Sequence, residues 1–79
     1  AVPQVLVNVH VTKKPRLESI PDIDCAVQEG GRRLNGCGRV LVRYSGTEPL
    51  LRIMVEGEQS TMVKEVAEDL ARVVRKHIG

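Results

Sequence analysis

The chain has 79 residues, enough for one small domain and short even for that. Hydrophobic residues make up 42% and charged residues 28%, a globular mix that excludes wholesale disorder, while a net charge of +2 is too balanced to announce a nucleic-acid or anionic-membrane partner. No apolar run approaches the roughly 20 residues that span a bilayer, and the N-terminus lacks a signal-peptide pattern, so a soluble, cytoplasmic domain is expected.

Residues 4–12 alternate. Val5, Val7, Val9 and Val11 share one side, and Leu6, Asn8, His10 and Thr12 share the other. Period two with β-branched residues on the apolar side predicts a half-buried strand, stopped by Lys13-Lys14-Pro15 because proline cannot donate to a ladder. Residues 22–34 follow, with Ile23, Ala26, Val27, Gly30 and Leu34 at helical spacing and Pro21 or Asp22 at the start. Gly30-Gly31 is costly inside a helix, about 1 kcal/mol each against alanine, so the helix either frays there or packs a bare backbone closely on the sheet. Asn35-Gly36-Cys37-Gly38 ends it, with glycine available for a left-handed cap.

Two strands come next, over 39–44 and from Leu50 or Leu51 to Glu56. Ser60 or Thr61 opens the last helix. Its apolar stripe is Met62, Val63, Val66, Ala67, Leu70, Val73, Val74 and Ile78, a width that predicts a core-facing surface helix. The charged residues lie mostly off that stripe and read as a solvated face. Arg75, Lys76 and His77 suit the C-terminal end of the helix dipole. The order strand, helix, strand, strand, helix predicts an α+β two-layer sandwich, a small and mostly antiparallel sheet with both helices on one face. No linker or internal repeat divides residues 1–79, which are read as one domain.

The core must be aliphatic, since the chain has no Trp or Phe, one Tyr and thirteen Val. A chain of this size buries about 60% of its unfolded surface, leaving little room for a deep active-site cavity. Cys25, Cys37, His10 and His77 run in an order and at separations that match no close-paired zinc-ligand spacing, so no metal is expected. Both cysteines read as reduced thiols and small apolar fillers.

The chemistry is concentrated in Arg43-Tyr44-Ser45-Gly46-Thr47-Glu48-Pro49, with Arg52 close behind. If Val40, Val42 and Tyr44 face the core opposite Leu51, Ile53 and Val55, then Arg43 and Arg52 fall together on the face away from the helices. Like charges opposite one another destabilise a sheet, and Glu56 lies further along the strand, so a bound anion is the better counter-charge. Ser45 and Thr47 offer hydroxyl donors, Gly46 lets backbone N–H groups turn inward as a nest, and arginine forks fit phosphate bidentately. The P-loop signature is absent. On composition alone the alternative is equally good: a polar hairpin turn with two solvated arginines.

Residues 38–57, GRVLVRYSGTEPLLRIMVEG, resemble the phosphate-binding loop of the C-terminal domain in the α-D-phosphohexomutase superfamily. The Arg-x-Ser-Gly-Thr-Glu-Pro core is shared among its branches, and the Leu-Leu-Arg-Ile-Met-Val-Glu continuation tilts toward the glucosamine branch. The resemblance implies a TATA-box-binding-protein-like fourth domain of a larger isomerase, without a catalytic residue of its own. It would bind the phosphate that is not being transferred, through Arg43, Ser45, Gly46, Thr47 and Arg52. The parent reaction would convert glucosamine 6-phosphate to glucosamine 1-phosphate through a phosphoserine and glucosamine bisphosphate, feeding cell-wall precursor synthesis. The phosphoserine and a Mg²⁺-binding Asp-Gly-Asp loop belong to other domains of such an enzyme; Asp22-Ile23-Asp24 is not that loop. The implied partners are phosphosugars and those domains, with no nucleic acid, no membrane and no cofactor held here. The same motif would suit a phosphomannomutase or phosphoglucomutase. A nucleic-acid-binding α+β module and a protein-interaction module using Leu41 and Met54 are the readings from other classes.

Overall fold

Valine at every second position draws residues 5–11 onto one apolar surface, and that surface organises the computed structural model, which describes residues 2–79. Strand β1 covers Gln4–His10, helix α1 Pro21–Arg33, β2 Arg39–Tyr44, β3 Leu50–Glu56 and α2 Ser60–Ile78. The strand order is β1-β3-β2, with both pairings antiparallel. Opposite partners are Val5 and Val55, Val7 and Ile53, Val9 and Leu51 on one side, and Val40 and Val55, Val42 and Ile53, Tyr44 and Leu51 on the other. All of these face the helices, the register that burial demands. Val9, Leu51, Ile53 and Val55 are buried there against Ile23, Val63, Val66, Leu70 and Val74. The expected two-layer α+β sandwich is the fold found.

The differences lie at element ends. β1 stops at His10 rather than Thr12, because the next two N–H groups turn away: Val11 donates to the Pro49 carbonyl at 2.9 Å and Thr12 to that of Ile78 at 2.8 Å. Val11 is nonetheless 2% exposed. A single 3-10 turn, Leu17–Ser19, precedes α1 and was not anticipated. Pro21 opens α1, which runs unbroken through both glycines. A Cβ on Gly30 would lie 2.9 Å from Val66 Cγ1 and 3.6 Å from Val40 Cγ2, so the bare backbone meets α2 first and the sheet second. Beyond α1 the left-handed conformation is shared: Asn35 has φ 55° and Gly36 φ 71°, asparagine being the non-glycine residue that tolerates it. Gly38 has no alternative, since a Cβ there would stand 2.1 Å from the Glu56 carbonyl oxygen. Ser60 is the first residue of α2 and not its cap; Gln59 precedes the helix without a side-chain bond.

Cys25 and Cys37 are corrections. Both are free and exposed, so neither fills the core. Cys25 falls on the outer side of α1, and Cys37 in the connection after it. His77 does more than meet a helix dipole, because its Nε2 lies 3.0 Å from Asp22 Oδ2 and joins the end of α2 to the start of α1. The helices are also joined by Arg33 Nη1 donating to Asp69 Oδ2 at 2.7 Å.

Candidate phosphate-binding site

The face of the sheet turned from the helices carries three cross-strand rows. In the first, Glu56 stands between Gln4 and Arg39. The second is apolar, with Met54 between Leu6 and Leu41. Met54 is 9% exposed, Leu6 71% and Leu41 45%. In the third, Arg52 stands between Asn8 and Arg43. No aromatic side chain is on this face, the one Tyr of the chain being Tyr44 on the other.

Arg43 and Arg52 are therefore direct partners across the β2–β3 ladder, both exposed. Their nearest negative charge is one the sequence reading missed. Glu48, four residues before Arg52, brings Oε1 to 3.8 Å from Arg52 Nη2, an exposed pairing beyond hydrogen-bond reach. Glu56 is engaged elsewhere, accepting from Arg39 Nε at 2.5 Å. Among the described residues Arg43 has no carboxylate partner. Two guanidinium groups thus share one patch with a single loose counter-charge.

Ser45 is the hub of the loop that closes this row, and only 5% exposed. Its N–H donates to the Leu50 carbonyl at 2.9 Å. Its Oγ accepts the N–H groups of Thr47 at 3.3 Å and Glu48 at 3.1 Å. Two amides expected to form an anion nest are thus spent on the serine oxygen, whose own proton remains to be donated. Gly46 does not take a left-handed φ, so the nest geometry expected of it is absent. Neither its backbone nor its neighbours require glycine: a Cβ would meet nothing within 4 Å. What the missing side chain leaves is open space over the loop. Thr47 is exposed beside it.

The segment between β1 and α1 reaches this loop from behind, which no periodicity in residues 12–16 signals. Lys14 Nζ donates to the Ser45 carbonyl at 2.7 Å, and Tyr44 Oη to the Pro15 carbonyl at 2.5 Å. Burial pushes the Tyr44 phenol up, so it serves as a hydrogen-bond donor and not as an acid near neutrality. Cys37 lies apart from the loop. Its hydrogen bond with Glu58, and then that carboxylate's charge, hold the thiol above its ordinary range and make it a poor nucleophile. Among the described residues no three His, Cys, Asp or Glu side chains converge to hold a metal ion. No helix is long and apolar enough to cross a membrane. The geometry offers charge and hydrogen-bond donors for an anion.

Residues 6–73 match the sequence profile of the phosphoglucomutase/phosphomannomutase C-terminal domain. The chain is 46% identical over 79 residues to the phosphoglucosamine mutase of Pelobacter propionicus, covering 100% of this chain and 17% of that protein. To that of Cellvibrio japonicus it is 51% identical over 73 residues, covering 92% and 16%. Among solved structures, the N-acetylphosphoglucosamine mutase of Aspergillus fumigatus in complex with GlcNAc-6P and magnesium superposes with a TM-score of 0.78 at 27% identity, over 92% of this chain and 16% of that one. The same fungal enzyme with glucose 1,6-bisphosphate gives 0.78 at 30% identity, over 95% and 15%. The chain spans about a sixth of the length of these relatives. With the profile covering most of its length and every element of the sandwich in place, the chain belongs to the phosphoglucomutase/phosphomannomutase C-terminal domain family.

Proposed function

We propose that residues 1–79 form the substrate-phosphate-binding unit of a phosphoglucosamine mutase, holding the phosphate that stays on the sugar while the other is transferred. The observation that carries this is Arg43 directly opposite Arg52, with only the loosely placed Glu48 between them. A phosphate dianion over that pair offsets the repulsion and accepts from both guanidinium forks. The Ser45 hydroxyl, the Gly46 N–H and the Thr47 hydroxyl are the further donors at the same end of the row. The parent enzyme would interconvert glucosamine 6-phosphate and glucosamine 1-phosphate through a phosphoserine and a bisphosphate, in the cytoplasm and toward cell-wall precursors. Its nucleophile and Mg²⁺ would come from other domains, because this chain's carboxylates do not converge on a metal site.

The 79-residue chain alone should bind weakly and turn over nothing. Each charge-assisted hydrogen bond contributes about 1.5–3 kcal/mol at best, and much of that is lost to ordering exposed side chains. A dissociation constant on the order of millimolar, about 4 kcal/mol, is expected. Amide shifts on titration with glucosamine 6-phosphate test it. They should gather at residues 43–47 and Arg52; shifts gathered along α2 near Arg72 would contradict the reading.

A further inference from the structure

We infer that Lys14 is a positioning residue of the anion site, acting through the Ser45–Gly46 peptide; this rests on the phosphate-binding reading above. The β2–β3 ladder is only half completed at its last rung. Ser45 gives its N–H to Leu50, but the Leu50 N–H turns to the Glu48 carbonyl at 2.8 Å instead of returning to Ser45. The Ser45 carbonyl, on a residue 5% exposed, is thereby without a ladder donor, and the Lys14 ammonium occupies that role at 2.7 Å. A buried carbonyl must find a donor, and a charged one is the stronger kind.

The consequence lies on the other end of the same peptide. The bond is trans, so the Gly46 N–H points away from Lys14. That N–H donates to nothing among the described residues, and the space beside Gly46 is open. A cation on the carbonyl polarises the peptide and strengthens its N–H as a donor, as in any chain of coupled hydrogen bonds. Lys14 is itself held by two anchors flanking it in sequence: the Val11 N–H on the Pro49 carbonyl, and Tyr44 Oη on the Pro15 carbonyl. The connection after β1 thus fixes a positive charge behind the loop and presents one backbone donor in front of it. Lys14 touches the peptide and not the phosphate.

The test uses the 79-residue chain with inorganic phosphate as the probe, and compares Lys14→Met, Lys14→Arg and Arg43→Ala. Even without phosphate, Lys14→Met should move the Ser45 carbonyl carbon and Gly46 amide proton resonances upfield, with the core methyl spectrum unchanged. It should weaken phosphate binding about fivefold to tenfold, and Lys14→Arg, which keeps charge and donor, should restore most of it. A Lys14→Met chain with unmoved Ser45 and Gly46 resonances overturns the inference, and so does unchanged phosphate affinity while Arg43→Ala loses binding; the site reading survives both. No phosphate shifts at residues 43–47 in the unaltered chain would overturn the reading and the inference together.

Discussion

Two arginines project from the same face of β2, four residues apart, and meet opposite fates. Arg39 lies across from Glu56 and bonds its carboxylate at 2.5 Å, while Arg43 lies across from Arg52. Strand, partner strand and register are common to both rows, so the contrast belongs to side-chain choice. The first row is complete within the chain. The second concentrates positive charge beside a loop whose serine is buried and whose glycine leaves room. Where a fold could cancel charge and does not, the spare charge is available to something outside it.

The contrast can be broken from beneath. Both rows stand on one apolar layer, in which Ile53 is 1% exposed and pairs with Val7 and Val42. Ile53→Ala should destabilise the chain by about 2–5 kcal/mol, seen in chemical denaturation, because the cavity lies under both rows. Converting the second row into the first is the sharper manipulation. Arg52→Glu would place a carboxylate opposite Arg43, as Glu56 stands opposite Arg39. It should stabilise the empty chain by about 0.2–1 kcal/mol and lower phosphate affinity by more than tenfold. Both readings come from one pair of melts and one titration.

The alternation of residues 5–11 and 40–44 and the apolar stripe of α2 made the sheet's faces legible in the sequence, and with them the opposition of Arg43 and Arg52. Burial on one face fixes register, and register is a period-two pattern any reader can count. What stayed hidden has no period. Lys14, Pro15 and the Leu17–Ser19 turn lie in a connection whose course depends on which carbonyls need donors, something only the folded chain displays. Cys25 and Cys37 looked like core fillers by residue type, yet both fall where no second layer covers them. Glu48 was read as a turn residue, and its reach toward Arg52 follows from the path of the loop. The role given to Gly46 was right about space and wrong about φ.

A smaller effect should appear in acid, away from both rows. The Arg33 hydrogen bond, with Arg72 helping, holds the Asp69 carboxyl below its ordinary range. A depressed folded-state pKa contributes stability that is fully present above the unfolded value, about 3.9, and is lost as pH falls through the folded one. The pair is half-exposed, so the loss should be a few tenths to about 1 kcal/mol. Asp69→Asn should remove that part of the acid dependence of the melting temperature and leave phosphate shifts untouched.

The central claim is that the Arg43–Arg52 row is built for a ligand and not for the fold, and thermal melts of the chain and of Arg43→Ala, with and without phosphate, test it most directly. Phosphate at about ten times its dissociation constant stabilises the folded chain by about 1.4 kcal/mol, a rise of roughly 5–10 °C for a domain this small. The unaltered chain should show that rise and Arg43→Ala should show little of it. Without phosphate, Arg43→Ala should melt at or slightly above the unaltered chain, since its loss relieves repulsion with Arg52. An Arg43→Ala chain that melts well below the unaltered one in phosphate-free buffer, or that gains as much from phosphate, would contradict the account.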